Sequence, residues 1–490
     1  MFVAKATAML SAETWSTPLL VAAGNVRVIA AARDGSLIGL DGGLQKVWSL
    51  ALGSEITASP NCATPGAPGS LVTVGTHAGR MVAVDPATGR IAWERDLHRE
   101  IRATVSFATV GGRLLAYVAS YGDRLRALDA LDGTTVWSRW LPPSVWARMD
   151  GVVSSPCIAD VDGDGELEVV IGTRAFRVYC LSAADGRLKW WRRLRYGVDS
   201  TATVLDVDGR RLTLFGTGEA LNGRGDNRVL ALDGAGRIVW GFGVGAGVDA
   251  CTTNAAVEGV PMVFAATLGP GELVALRASG TAREEWRVSL GPTARCEHTP
   301  GCSPPGKPYF TANATCRSYT TPCVGDLDGD GRLEVVVGSN NGRVLIVDAA
   351  TGRVRHELRP GLPVRGSPVY GDVDDDGYAE LIIAAGDTLQ SFGTRLQGPA
   401  WPGLNGGAGL NGAGLLTPSP GGPIPSPEDS DKARAAPGSG RSPGAIARQA
   451  RLEAGLLADW MVRDAGRRAL TIADKAVERL RGRPVMDYRY

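Results

Sequence analysis

Residues 83–93 read AVDPATGRIAW: a short apolar run, an Asp-Pro-x-x-Gly turn, and a strand that closes on Trp93. The same phrase recurs along the chain. LIGLDGGLQKVW ends at Trp48, LRALDALDGTTVW at Trp137, VYCLSAADGRLKW at Trp190, VLALDGAGRIVW at Trp240 and LVALRASGTAREEW at Trp286, while VLIVDAATGRVRH sets His356 in the Trp position. From Trp48 to His356 the successive intervals are 45, 44, 53, 50, 46 and 70 residues, the period of a repeat architecture. An eighth, irregular unit runs LIIAAGDTLQSF and is expected to close near Trp401.

A second signpost opens each unit: STPLL at Ser16, ASPNC near Ser59, ATVSF at Ala103, SSPCI at Ser154, STATV at Ser200, CTTNAAV at Cys251, TTPCV at Thr320 and GSPVY at Gly366. Each unit has room for three or four short strands, and turns such as RDG and NNG supply the positive-φ positions of tight hairpins. One such sheet cannot bury both of its faces. Arranged radially, each sheet packs on two neighbours and leaves only short edges, and a repeated Trp suits the wedge between them. The expected fold is all-β, a β-propeller of about eight four-stranded blades over residues 1–401. Seven blades is the other count the spacing allows. Residues 402–445, rich in Gly, Pro and Ser, read as a flexible linker. Residues 446–490 read as a short α-helical segment, with Leu470, Ala473, Val477 and Leu480 on one stripe and Ile446, Leu452, Leu456 and Trp460 suggesting an earlier helix broken near Gly466.

Charge narrows the function classes. Lys and Arg number 52 against 51 Asp and Glu, and no basic block stands in the first four hundred residues, so nucleic-acid binding driven by charge is excluded. No apolar run approaches the roughly 20 residues that span a bilayer. The segment 446–490 alone carries net positive charge, which suits contact with a membrane surface or a partner.

The repeat stretch 83–93 resembles the tryptophan-docking repeat of quinoprotein-like (PQQ-type) propellers, over the region from about Ser16 to Trp401. That resemblance is informative for fold and poor for function, because such propellers serve as dehydrogenases, assembly scaffolds and sensors alike.

Three acidic loops carry the clearest chemistry. They run Asp160-Val-Asp162-Gly-Asp164-Gly-Glu166-Leu-Glu168, Asp326-Leu-Asp328-Gly-Asp330-Gly-Arg332-Leu-Glu334 and Asp372-Val-Asp374-Asp-Asp376-Gly-Tyr378-Ala-Glu380, each leading into an apolar strand. Carboxylates at positions 1, 3 and 5 of a tight loop converge on one point, Gly at position 6 permits the turn, and a hard cation such as Ca²⁺ prefers such oxygens. Position 12 is Ile171, Val337 or Ile383 rather than the bidentate Glu of an EF-hand. Position 9 is acidic each time. The pattern resembles the calcium loops of FG-GAP/VCBS-type propellers, the class found in integrin α-subunit heads. That resemblance implies about three Ca²⁺ sites, with ligands from the side chains at positions 1, 3, 5 and 9 and the carbonyl of position 7, which is Glu166, Arg332 or Tyr378. A fourth loop, Asp206-Val-Asp208-Gly-Arg210, lacks the third acid and is expected to bind nothing.

The interval of 70 contains an insertion, RCEHTPGCSPPGKPYFTANATC, in which Cys296, Cys302 and Cys316, with Cys323 beyond it, suit disulfides, free thiols or, with His298, a zinc site. Asn313-Ala-Thr315 is a glycosylation sequon. These features and the calcium loops favour an extracellular, cell-surface or periplasmic setting. No leader is legible before Glu13 and Thr14, so a cytoplasmic setting stays open.

The expected function is a non-catalytic, calcium-stabilised module that binds a protein or glycan partner in adhesion or assembly. One alternative is a PQQ-dependent oxidoreductase, yet the adjacent cysteine pair on which the alcohol dehydrogenases of that class stack their quinone is missing. The other is an intracellular scaffold that docks partners through its C-terminal helices.

Overall fold

The computed structural model describes residues 2–67, 69–121, 124–142, 151–218, 226–269, 271–291, 318–397 and 443–459. Eight four-stranded antiparallel sheets follow one another around a ring, which settles the blade count at eight. Blade 1 is Leu19–Ala23, Val26–Ala31, Ser36–Leu40 and Lys46–Ala51. Blades 2 to 6 repeat this order within 61–96, 106–140, 157–193, 203–243 and 253–289. Blade 7 is Cys323–Gly325, Glu334–Gly338, Val344–Asp348 and Val354–Leu358.

Blade 8 is assembled from both ends of the repeat region. Its first three strands are Val369–Gly371, Glu380–Ala385 and Thr388–Gly393, and its outermost strand is Val3–Met9, antiparallel to Thr388–Gly393. The fourth strand therefore comes from the N-terminus and not from the sequence near Trp401, which itself lies outside the described residues. The ring is closed by hydrogen bonds between segments more than 370 residues apart.

Burial follows from this packing. Second and third strands are buried on both faces because each blade lies between two others, as in Glu168–Thr173 and Val344–Asp348, where every residue is buried. Outer strands alternate, as in Ile91–Asp96, where only Trp93 is buried. The apolar core continues from blade to blade: one cluster joins Leu10 near the N-terminus, Val28 and Ile38 of blade 1, Val336 and Ile346 of blade 7, and Leu381 and Ile383 of blade 8.

The recurring Trp is a dock for the neighbouring blade. Its indole N–H donates to a carbonyl in the third-to-fourth-strand turn of the next blade: Trp48 to Pro86 at 2.9 Å, Trp93 to Ala130 at 3.0 Å, Trp137 to Ala183 at 2.9 Å, Trp190 to Gly234 at 2.8 Å and Trp286 to Ala349 at 3.0 Å. Its ring lies on the Gly of that turn. A Cβ on Gly133, at φ 71°, would come within 2.6 Å of the Trp93 ring, so the position needs Gly for both space and backbone. Within its own blade each Trp faces a small residue: Gly39, Ala83, Ala127, Cys180, Ala231 or Ala275. His356 departs from the series for a structural reason. The next blade has no hairpin at that point, because its outer strand arrives from the N-terminus, and Phe2 meets His356 edge-on instead at 5.1 Å.

The small-residue openings prove to be a belt. Backbone N–H groups donate to the hydroxyl at the same position one blade on: Thr17 to Ser59, Ser59 to Thr104, Thr104 to Ser155, Ser155 to Thr201, Thr321 to Ser367, and Ser367 back to Thr17, at 2.8–3.2 Å. Short hydroxyl side chains satisfy buried amides here where a larger residue would force the blades apart.

The helix Pro443–Asp459 lies against the outer strand of blade 4. Leu456 joins the apolar cluster of blades 3 and 4, and Asp459 pairs with Arg177, which is fully buried. Residues 398–442 and 460–490, and the cysteine-rich insertion at 292–317, fall outside the described residues, and so do the expectations placed on them. Cys323 is a free buried thiol, as are Cys62, Cys157, Cys180 and Cys251, which is one of the alternatives the sequence leaves open for it.

Candidate metal centres

The three acidic loops are the first-to-second-strand connections of blades 4, 7 and 8. Blades 5 and 6 make the same connection with a two-residue turn: Asp208 and Gly209 lie at φ 51° and 68°, and Glu258 and Gly259 at φ 50° and 77°. The loop Asp206 to Arg210 is thus a tight hairpin, and Asp206 pairs with Arg211.

Each acidic loop is wound the same way. The position-1 carboxylate accepts from the amide at position 6: Gly165 to Asp160 at 3.1 Å, Gly331 to Asp326 at 2.9 Å and Gly377 to Asp372 at 2.9 Å. The position-5 carboxylate accepts from the amide at position 7, as in Arg332 to Asp330 at 2.9 Å. The Glu at position 9 begins the second strand and is buried, with Glu168 at 0%, Glu334 at 1% and Glu380 at 1% exposure. Its Oε2 accepts from the amide at position 2, which is Val161, Leu327 or Val373, at 2.8–3.0 Å. The fold brings together the acids at positions 1, 3 and 9: in each loop one oxygen from each lies within 4.8 Å of the others, an arrangement that could hold a metal ion.

The loops differ in what faces those oxygens. In blade 4 the Lys189 ammonium contacts Asp162 at 3.0 Å, Asp164 at 2.9 Å and Glu168 Oε1 at 2.6 Å. In blade 8 the Lys5 ammonium contacts Asp374 at 2.8 Å, Asp376 at 2.6 Å and Glu380 Oε1 at 2.7 Å. Burial alone would lower both ammonium groups, but the carboxylates outweigh it and raise them above their ordinary value. Burial raises the Glu168 and Glu380 carboxyls while the lysines oppose it. Blade 7 is arranged otherwise. Arg355 turns its fork to Asp348 at 2.7 Å, reaches Asp330 only at 3.4 Å, and leaves Glu334 Oε1 buried with no hydrogen-bond partner among the described residues. Burial, with Asp328, Asp330 and Asp326 behind it, pushes the Glu334 carboxyl up to about 7 against the pull of the Leu327 N–H.

Lys189, Arg355 and Lys5 escaped the sequence reading, yet a signal existed. The outer strand of every blade shifts register by one residue at the same point, and these cations are the extra residues of the resulting bulges. In blades 1, 2, 3 and 5 the bulge residue is Val47, Ala92, Val136 or Val239, and in blade 6 it is Glu285. A basic residue stands there only in the three blades that carry an acidic loop.

The opposite face of the ring carries a circuit of paired charges that the sequence did not reveal. Arg33 pairs with Glu13 and Glu55, His77 lies between Glu55 and Glu100, Arg102 pairs with Glu100, Arg174 with Asp199, and Arg365 with Glu13. Trp15 is held between the Arg33 and Arg365 guanidinium groups, 4.6 Å from each. Burial lowers the His77 imidazole below its ordinary value, with Arg102 and Arg33 adding to it and Glu100 and Glu55 opposing.

Comparison with known proteins agrees with this architecture. A model of the family described as outer membrane protein assembly factor BamB matches residues 8–99, 33–164 and 145–358, overlapping as repeats do. The outer membrane protein assembly factor BamB of Yersinia pestis is 27% identical over 203 residues, 40% of this chain and 47% of that protein. The match thus spans about half the length of that relative. A quinoprotein ethanol dehydrogenase of Pseudomonas aeruginosa is 30% identical over 96 residues, 20% of this chain and 14% of the enzyme. The crystal structure of BamB from Moraxella catarrhalis superimposes with a TM-score of 0.55 and 18% identity, over 80% of this chain and 97% of that one, which supports the fold alone.

Proposed function

Because this chain belongs to the family described as outer membrane protein assembly factor BamB, we propose that it is a non-catalytic propeller that binds protein partners during membrane-protein assembly in the cell envelope. The family match along residues 8–358 is the observation that carries the reading. A periplasmic setting belongs to the same proposal. Among the described residues no helix is long and apolar enough to cross a membrane. Residues 1–401 would be the binding unit and 402–445 a tether to the segment that follows.

A quinone-dependent reaction is the weaker reading. The dehydrogenase match covers 14% of that enzyme, and five of the six repeat tryptophans donate their N–H to a neighbouring blade. The acidic loops serve structure in this proposal: a hard, oxygen-preferring cation, calcium by its donor set, would draw on carboxylates at positions 1, 3, 5 and 9 and the position-7 carbonyl.

Depleting the chain from its source cell and quantifying the proteins of the outer membrane tests the assembly reading; unchanged levels would sink it. Adding PQQ to the purified protein and following quinone absorbance with alcohol-dependent dye reduction tests the oxidoreductase. A bound-quinone band with turnover would replace the proposal.

A further inference from the structure

We infer that the three acidic loops are of two kinds: blade 7 alone binds a divalent cation, while in blades 4 and 8 a lysine of the same blade stands where the ion would be. This rests on the cation-binding reading of the loops given above. Three observations lead to it.

The first is the buried oxygen. In all three loops the position-9 Glu commits Oε2 to the amide at position 2, which leaves Oε1 for the centre of the acidic cluster. Lys189 fills that role for Glu168 and Lys5 for Glu380, at 2.6 and 2.7 Å. Glu334 Oε1 has no partner among the described residues, although the residue is 1% exposed and one oxygen each from Asp326 and Asp328 lies within 4.8 Å of its ligand atom. A buried carboxylate oxygen beside other carboxylates is costly unless a cation or a proton offsets it, and none of the described residues brings a positive charge to it.

The second is the matching of side chains across blades. Lys189, Lys5 and Arg355 occupy the same bulge of the outer strand. An ammonium is compact and donates in three directions, so it fits among three carboxylates. A guanidinium is planar and forked, and pairs along an edge.

The third is the reason why Arg355 turns away. The third-to-fourth-strand turn of blade 7 begins with Asp348, which takes Arg355 at 2.7 Å. The same turn in blade 4 begins with Ser182, which offers no competing charge, and Lys189 goes to the loop. In blade 8 that turn does not exist, because the outer strand comes from the N-terminus.

Calorimetric titration of calcium into the chelator-stripped full-length protein, with circular dichroism as a check on folding, tests the inference. One ion per chain is expected, lost in Glu334→Gln. Lys189→Met and Lys5→Met are each expected to add one ion. Two or three ions in the wild type would overturn the inference and leave the cation-binding reading of the loops in place. No binding by the wild type, with gain in the lysine variants, would overturn the assignment to blade 7 alone. No binding by any of them would sink the loop reading itself. Because the wild-type stoichiometry decides the main point, a variant that misfolds does not remove the test.

Discussion

At the scale of the residue, the docking Trp shows how one side chain does two jobs, and where it does only one. Trp93 fills the wedge between blades 2 and 3 with its ring and satisfies its N–H on Ala130. Trp240 is as buried, but its N–H finds no partner among the described residues, because the next turn, with Gly280, does not approach the ring. Phe in either place keeps most of the packing. Trp93→Phe should therefore lower the urea unfolding free energy by about 1 kcal/mol more than Trp240→Phe, the value of one buried hydrogen bond; equal effects would refute the distinction. The sequence showed both tryptophans and could not separate them, since the partner of each N–H belongs to another repeat. Asp348 gives a second residue-scale test. Burial would raise its carboxyl, but Arg355 and Thr351 hold it down to about 2, below the ordinary 3.8. A depressed carboxylate stabilises fully above its ordinary value and loses that contribution as pH falls through the folded one. Stability measured by urea should drop by on the order of 1–2 kcal/mol between about pH 4 and pH 2. Asp348→Asn should remove that part of the slope; an unchanged slope would count against the pairing.

At the scale of the element, the acidic loops are coupled to the outer strand of their own blade. The loop winding was legible from Asp, Gly and Glu at fixed positions, and the structure places one acid each from positions 1, 3 and 9 together. The cation at the bulge was not read, although it lies one residue before Trp190 and His356. Seeing it needs strand register, which a sequence does not print. Lys189 is the clearest case because Glu168 is fully buried. In chelator, Lys189→Met should destabilise by about 3 kcal/mol, the typical cost of stranding a buried charge. The double variant Lys189→Met with Glu168→Gln should recover part of it, because the stranded charge is then gone. Equal stability of single and double variants would show that the ammonium contributes packing alone.

At the scale of the whole molecule, closure is the decisive event. Val3–Met9 completes blade 8, its Lys5 reaches into the acidic loop, and the hydroxyl belt passes from Ser367 to Thr17 across the same seam. Removing residues 1–9 would leave Thr388–Gly393 as an open edge and uncover Leu389 and Phe392. Calorimetry should then show a transition lowered by on the order of 10 °C, or no cooperative folding at all. Melting unchanged by the truncation would show that the N-terminal strand is not a fastener. The helix Pro443–Asp459 makes a further long-range contact, with Asp459 at Arg177 and Leu456 in the cluster of blades 3 and 4.

The chain's own order determined the repeat, the approximate blade count and the winding of three acidic loops, because each depends on residues near one another in sequence and on turn chemistry that only certain side chains permit. Read in chain order, the eighth unit is expected to close near Trp401. Only the tertiary structure decided that the first strand belongs to the last blade, since a ring has no ends and its seam lies wherever burying the last open edge removes the most apolar surface from water. It also decided that a lysine reaches two of the acidic clusters while an arginine turns away from the third. That choice depends on which acid stands within reach once the outer strand is in register, and the competing acid, Asp348, is brought there by the hairpin rather than by proximity to the loop.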